Sequence, residues 1–286
     1  MGIGSPLAVV GNTQDAVVQN LALINAVGNE LCRQFDWQRI TKEYLFTTVF
    51  YTYTGNTTAG SASITGMSSI VGLSNLFMVV GVGINQSSQV VSASGSTVVM
   101  DQPASASGTV SLTFCQTKYA FPSDYDRLVD RTEWDKSRHW ENLGPQTGQQ
   151  WQWLKSGFIS TGPRSRFRPL GGYFQMWPPL STADLMGFEY VSNQWVLAAA
   201  DTITPSKASF TVDTDTCVFP DRLMVLGLKS MFFTVKGFAN IYEKQYEMQL
   251  NIAKANDAGS PTLSMAPRLS DQLITVANIP DSGYGS

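Results

Sequence analysis

The chain has 286 residues, enough for one large domain or two modest ones, each with its own core. It is 43% hydrophobic and only 14% charged, against a usual charged share of about 25%, so part of the surface is expected to be covered by neighbouring subunits. A net charge of −3 excludes a strongly basic grip on nucleic acid, and no run approaches the ~20 apolar residues of a membrane span.

The N-terminal stretch MGIGSPLAVVGN has neither the basic segment nor the sustained apolar run of a secretory signal. Cys32, Cys115 and Cys217 are odd in number and far apart, which fits three buried thiols in a reducing compartment. Without a Cys-x-x-Cys spacing, and with His139 the single histidine, a zinc site is excluded. Residues 13–36 read as a helix: Thr13 and Asp15 offer capping groups, and Val17, Leu21, Ile24, Leu31 and Phe35 recur at spacings of three, four and seven. Gly28 falls in the same stripe, where a small residue permits close approach of another helix.

Lys42–Tyr53 is dense in aromatic and β-branched residues and reads as a strand. Beyond it, between Glu43 and Lys118, the only charged side chain is Asp101. This segment is too apolar and too regularly patterned for a disordered linker. Ser61–Ile64, Phe77–Val82, Gln89–Ala93, Thr97–Met100 and Thr109–Phe114 read as short strands of a small inserted β module. Arg164–Trp177 and Asp184–Val196 read as two further strands joined by a turn at Pro178-Pro179, and Phe210–Val212 as a last short one.

From Asp215 the period returns to helix, with Thr214, Asp215 or Thr216 as cap and Asp221 in the first turns. Leu223–Val235 is apolar nearly all round, the mark of a helix buried by neighbours or by other subunits. Gly237 predicts a break. Phe238–Lys254 continues as an amphipathic helix with Phe238, Ile241, Tyr242, Met248 and Ile252 on one side. Periodicity ends at Gly259, and the residues beyond carry three prolines and the apolar Leu269, Leu273, Ile274, Val276 and Ile279. They are either a solvated tail or a docking arm.

Little in the chain points to chemistry. Asp213-Thr214-Asp215 lacks the glycine and terminal glutamate of a calcium loop and reads as helix capping. Glu133, Asp135, His139 and Glu141 could supply an acid and a base, as in glycan cleavage by two carboxylates. However, Arg131, Lys136 and Arg138 interleave with them, as on an ion-paired face. No G-x-S-x-G elbow and no phosphate-binding glycine loop is present, so neither a catalytic residue nor a cofactor is assigned. Arg164, Arg166 and Arg168 alternate and would share one face of a strand. They either line a DNA channel or pair with acids of the same or a neighbouring subunit; three cations in a net-negative chain favour pairing. Trp134, Trp140, Trp151, Trp153, Trp177 and Trp195 read as core or interface anchors rather than a sugar platform.

One region carries a family likeness. Asp124-Tyr125-Asp126-Arg127, Arg131-Thr132-Glu133-Trp134, Arg138-His139-Trp140, the Gly144-Pro145 break, Trp151, Trp153 and Leu154, together with Phe188–Val196 (FEYVSNQWV), resemble the head-to-tail adaptor proteins of short-tailed phages. The inserted module resembles one found in many phage structural proteins, through Met67-Ser68-Ser69, Gly72-Leu73, Gly81-Val82-Gly83-Ile84, Val90-Val91-Ser92 and Ala104–Thr109.

The expected fold is α+β: a discontinuous helical-bundle domain (residues 1–40, 123–160 and 215–257), a β domain (41–54, 115–122 and 161–214), the inserted β module (55–114) and an extended C-terminal arm (258–286). The resemblance implies a structural virion protein in the tail or neck, assembled in the host cytoplasm. It would form a ring, dodecameric in the family, between the portal protein and the tail nozzle or tail tube. Its partners would be those proteins and its own copies; double-stranded DNA would pass without specific binding, and no membrane is involved. A tail-associated cell-wall glycan hydrolase and a capsid or tail decoration protein are the alternatives.

Overall fold

The computed structural model describes residues 8–156, 164–201 and 203–258. Among them the chain forms four α-helices, α1 (Asp15–Gln34), α2 (Gly148–Lys155), α3 (Asp221–Val235) and α4 (Glu243–Ala258), and many short strands in several sheets. The fold is α+β. The chain alternates between two compact units. Among the described residues the first takes 8–43, Ser123–Val129 and 189–258; the second takes Tyr44–Pro122 and Asp130–Phe188. This differs from the expected partition in two places. The segment from Asp130 through α2 lies in the second unit rather than with the helical bundle, and the chain from Glu189 to Thr214 lies in the first.

In the first unit α1 packs on α3, and α3 on α4. Val27, Leu31, Trp37, Trp195, Phe219 and Leu223 form the centre of its core. Gly28 does permit a close approach, but the visitor is a side chain rather than a helix: a Cβ there would stand 2.2 Å from the Trp195 ring. Trp195 Nε1 donates to Asn29 Oδ1 at 3.0 Å, which satisfies the indole where it is most enclosed. The expected caps of α1 are not used. Gln14 occupies the cap position with no side-chain cap bond, and Asn12 Oδ1 accepts from Gln14 N.

Asp124–Arg127 and Glu189–Ser192 form the seam of this unit. Strand Tyr125–Leu128 pairs with Tyr190–Ser192, the second half of strand Leu185–Ser192. Arg127 reaches the last turn of α1, donating to the carbonyls of Cys32 (3.1 Å) and Phe35 (2.9 Å), and its charge meets Asp36 and Asp126. A cation there complements both the orphan carbonyls and the negative end of the helix dipole. Buried Asp124 accepts from Lys42 Nζ at 2.7 Å, Ser192 Oγ at 2.8 Å and Tyr190 Oη at 2.9 Å. Burial alone would raise its carboxyl; these three donors prevail and hold it below the ordinary range.

The second unit contains the expected β module, with altered borders. The run Lys42–Tyr53 is not one strand but two, Thr41–Thr47 and Phe50–Thr57. Thr48 interrupts it because its amide donates to Asp184 O and its hydroxyl to Thr182 O. Strand Phe50–Thr57 then pairs along its whole length with Gly108–Gln116, which also pairs with Phe77–Gly81. The module therefore begins at Phe50 rather than Gly55. A second small sheet orders Ser63–Ile64, Thr97–Met100 and Val90–Ser94. Ile64, Phe77, Val79, Val98, Leu112 and Phe114 fill the core of the module.

Arg164–Trp177, expected as a single strand, is a hairpin of Arg166–Leu170 and Tyr173–Trp177. Gly171 and Gly172 both have positive φ (63° and 79°), the demand of a two-residue type I′ turn. Its inward face stacks Phe167 on Phe174 and Phe174 on Phe188, at centroid distances of 4.8 and 5.2 Å. Helix α2 opens with a Thr147–Gln150 capping box and sets Trp151 and Leu154 against Trp177 and Met78. Met78 belongs to the inserted module, so the module shares a core with the rest of its unit.

Two further expectations fail in the first unit. Phe210–Val212 is a turn rather than a strand, because the amides of Thr211 and Val212 donate to the Asp215 carboxylate. The helix expected from Asp215 starts at Asp221 after Pro220, because Thr216–Cys217 is instead a strand pairing with Val196–Leu197.

Candidate functional site

The unusual surface of this protein is the α3–α4 hairpin. Helix α3 is apolar on every side, yet only Leu223, Met224, Leu226 and Gly227 are buried. Gly227 sits at the three-helix crossing, where a Cβ would stand 2.7 Å from Val27 and 3.0 Å from Tyr246. On the opposite side, Val225 and Val235 face solvent. Helix α4 turns Tyr246, Leu250 and Ala253 to the core. The predicted apolar side of that helix is therefore not its core side: Met248 and Ile252, one turn apart, are exposed, and so are Phe238 and Ile241 before the helix begins.

The tip between the helices holds the most exposed aromatic of the group. Phe238 is 62% and Ile241 66% exposed, although the loop that carries them is firmly built. Gly237, in the left-handed region at φ 70°, ends the helix as expected. Phe238 N donates to Phe233 O at 3.0 Å. Asn240 Nδ2 donates to Ser230 Oγ at 2.8 Å and Thr234 Oγ1 at 3.1 Å, and Asn240 Oδ1 accepts from Tyr242 N. Phe233 packs edge-on against Phe238 and Tyr242. Two cations flank the tip: Lys229 Nζ lies 5.3 Å from the Tyr242 ring centre and Lys236 Nζ 5.7 Å from that of Phe232.

Beside the tip, α1, α3, α4 and the loop residue Asn240 line an open cavity of about 410 Å³, in which Val27, Met231 and Leu250 are the apolar side chains and Gln34, Ser230 and Thr234 polar ones. Three carboxylates, Glu30, Glu243 and Glu247, stand around it. Tyr246, also in its wall, is pushed up to about 12, by burial first and by the Glu30 charge second. A rigid apolar knob with flanking cations and an acid-rimmed apolar hollow thus occur on one three-helix unit.

The residues singled out in the sequence are dispersed. Arg166 and Arg168 share the outward face of their strand, alternating with buried Phe167, while Arg164 precedes it. Among the described residues neither Arg166 nor Arg168 meets a carboxylate, so the expected pairing within the chain is not seen for these two. Leu269, Leu273, Ile274, Val276 and Ile279 lie outside the described residues. Asp213 and Asp215 are occupied by backbone: Asp213 accepts from Val9 and Val10, and Asp215 from the turn above it. Lys207, assisted by those amides, holds Asp215 down to about 2. Trp151, Trp177 and Trp195 are core anchors, while Trp153 is exposed.

The acidic cluster separates by burial. Asp135 is buried and accepts from the amides of Ser137 and Arg138, and Arg138 reaches on to Asp184 at 3.0 Å. His139 is an exposed turn residue with φ 58°. Glu133, by contrast, is only 2% exposed, and its Oε1 has no hydrogen-bond partner. Burial pushes its carboxyl up to about 7, with the charges of Asp130 and Glu141 acting in the same direction. An ion-paired face describes Asp135 and fails for Glu133. Of the thiols, Cys217 is only half-buried, donating to Phe219 O at 3.3 Å.

Among the described residues no group of His, Cys, Asp and Glu is arranged to hold a metal, and no helix is long and apolar enough to cross a membrane. No protein-family model and no curated protein matches the sequence.

Proposed function

We propose that this chain is a structural virion protein, a head-to-tail adaptor that assembles into a ring between portal and tail and leaves a channel for DNA. The observation that carries the reading is the α3–α4 hairpin, whose apolar side chains face solvent from a rigid loop in the isolated chain. An adaptor buried between its own copies needs such a surface, and each contact can be modest because a closed ring engages all of them together. The low charged share (14%) and the motif around Asp124 and Arg127, which here forms the seam of the helical unit, favour the same reading. Glu133 resembles a general acid in proton affinity alone. At 2% exposure its carboxyl is closed to a polymeric glycan, so Glu133 does not support the hydrolase alternative.

The test is co-sedimentation with the portal protein of the virion that encodes the chain, followed by negative-stain imaging. The expected result is a ring stacked on the outer end of the portal. Decoration of capsid shells with no portal binding would replace this reading with that of a decoration protein.

A further inference from the structure

We infer that the hairpin tip of one copy docks into the acid-rimmed cavity of the next copy, with Phe238 and Ile241 as the knob of a head-to-tail self-contact. The inference rests on the adaptor reading for the closure of these contacts into a ring.

The occupant follows from complementarity. The knob exposes apolar side chains, with Lys229 over the Tyr242 ring and Lys236 over the Phe232 ring; the hollow is lined by Val27, Met231 and Leu250 together with the acids Glu30, Glu243 and Glu247. Opposite charges around an apolar centre are how protein interfaces fix orientation and partner. The volume, about 410 Å³, lies in the range of about 300–1,000 Å³ from which proteins build sites for compact ligands, and it suits an aromatic ring with a branched neighbour. The tip does not fill the cavity of its own chain, since Phe238 and Ile241 both remain largely exposed.

The loop is braced by Asn240 before any contact is made, so docking orders little that was free. Preorganisation of this kind raises affinity without adding contacts. In the head-to-tail arrangement each copy gives its knob to one neighbour and its hollow to the other, so the contact is heterologous. Such contacts generate rings when the rotation closes and open filaments when it does not.

The experiment uses the full chain alone, by sedimentation velocity from micromolar to near-millimolar concentration. Wild type should associate with concentration. Phe238→Glu and Glu247→Lys should each weaken association by about tenfold or more, with unchanged melting because both positions are exposed. Mixing Lys236→Glu subunits with Glu247→Lys subunits should restore association, since each reversed knob then meets a reversed rim. A wild-type chain that stays monomeric across the range overturns the inference. So does Phe238→Glu associating like wild type, or a mixed pair that fails to recover. Closed rings that never bind a portal would instead sink the adaptor reading and leave the self-contact standing.

Discussion

Glu133→Gln should stabilise the protein in alkali and do almost nothing in acid. Glu133 enters the hairpin of Trp134–Asp135 and Trp140–Glu141, and its carbonyl accepts from Asn142 N at 2.9 Å. Burial disfavours its charge first, one oxygen is an orphan, and Asp130 and Glu141 repel a second negative charge, while hydrogen bonds from the backbone at Glu133 and Thr132 offset this only in part. The fold therefore favours the protonated acid, at about 7 rather than 4.5. A raised carboxyl contributes its full share of stability below pH 4.5 and loses it progressively as pH climbs to about 7. Each tenfold change in proton affinity is worth about 1.4 kcal/mol, so the penalty above pH 7 is about 3 kcal/mol. Gln keeps the shape and cannot ionise. In urea titrations followed by tryptophan fluorescence, the variant should exceed wild type by about 2–3 kcal/mol at pH 8 and match it near pH 4.5. A gain of equal size at both pH values, or none at pH 8, would refute the reasoning and mean that Glu133 is stabilised as an anion.

Gly28→Ala places a methyl within the Trp195 ring and should cost about 1–3 kcal/mol, seen as a lower melting temperature. Asp124→Asn removes the charge that Lys42, Ser192 and Tyr190 share. The loss should be about 1.5–3 kcal/mol at neutral pH and should shrink in acid, where the native carboxylate is itself protonated; a loss independent of pH counts against that account. Deleting Gly55–Thr109 removes Met78 from its packing on Trp151, Leu154 and Trp177, so the product should show a red-shifted, quencher-accessible tryptophan signal rather than a clean fold.

The sequence made strands legible where turns punctuate them. Thr97–Met100 matches its expected bounds, and the other strands of the module fall within a few residues of theirs, because glycine and serine turns set off short β-branched runs. It misled where one residue type had two roles. Arg164–Trp177 read as one strand, and Gly171-Gly172 within it is a turn. The threonine and tyrosine run from Lys42 looked continuous until Thr48 turned its polar groups to Thr182 and Asp184, residues far along the chain. Domain membership was the least legible feature, since α2 is amphipathic in the manner of a bundle helix while its partners, Met78 and Trp177, come from strands. For the candidate site, the all-round apolarity of α3 left open burial by neighbouring elements or by other subunits, and within the chain only Leu223, Met224, Leu226 and Gly227 are buried. The outward position of Met248 and Ile252 followed only from tertiary packing, because the apolar spacing of α4 gives two stripes and does not say which one meets α1 and α3.

The chain passes between its two units near Glu43, Pro122, Val129 and Phe188, and this fixes an order of events during synthesis. The first unit is begun earliest and completed last. Helix α1 leaves the ribosome with Val27 and Leu31 uncovered, and their partners on α3 and α4, Leu223 and Ala253, follow roughly 200 residues later, an interval of about 10–40 s at ~5–20 residues per second. The second unit has all its strands by Phe188 and can close during that wait. Newly made chains thus carry a bare amphipathic helix ahead of a finished β body, a form that invites chaperone capture. The α3–α4 hairpin emerges after the β body, so a chain interrupted before Asp221 carries neither helix nor the exposed Phe238 and Ile241 between them.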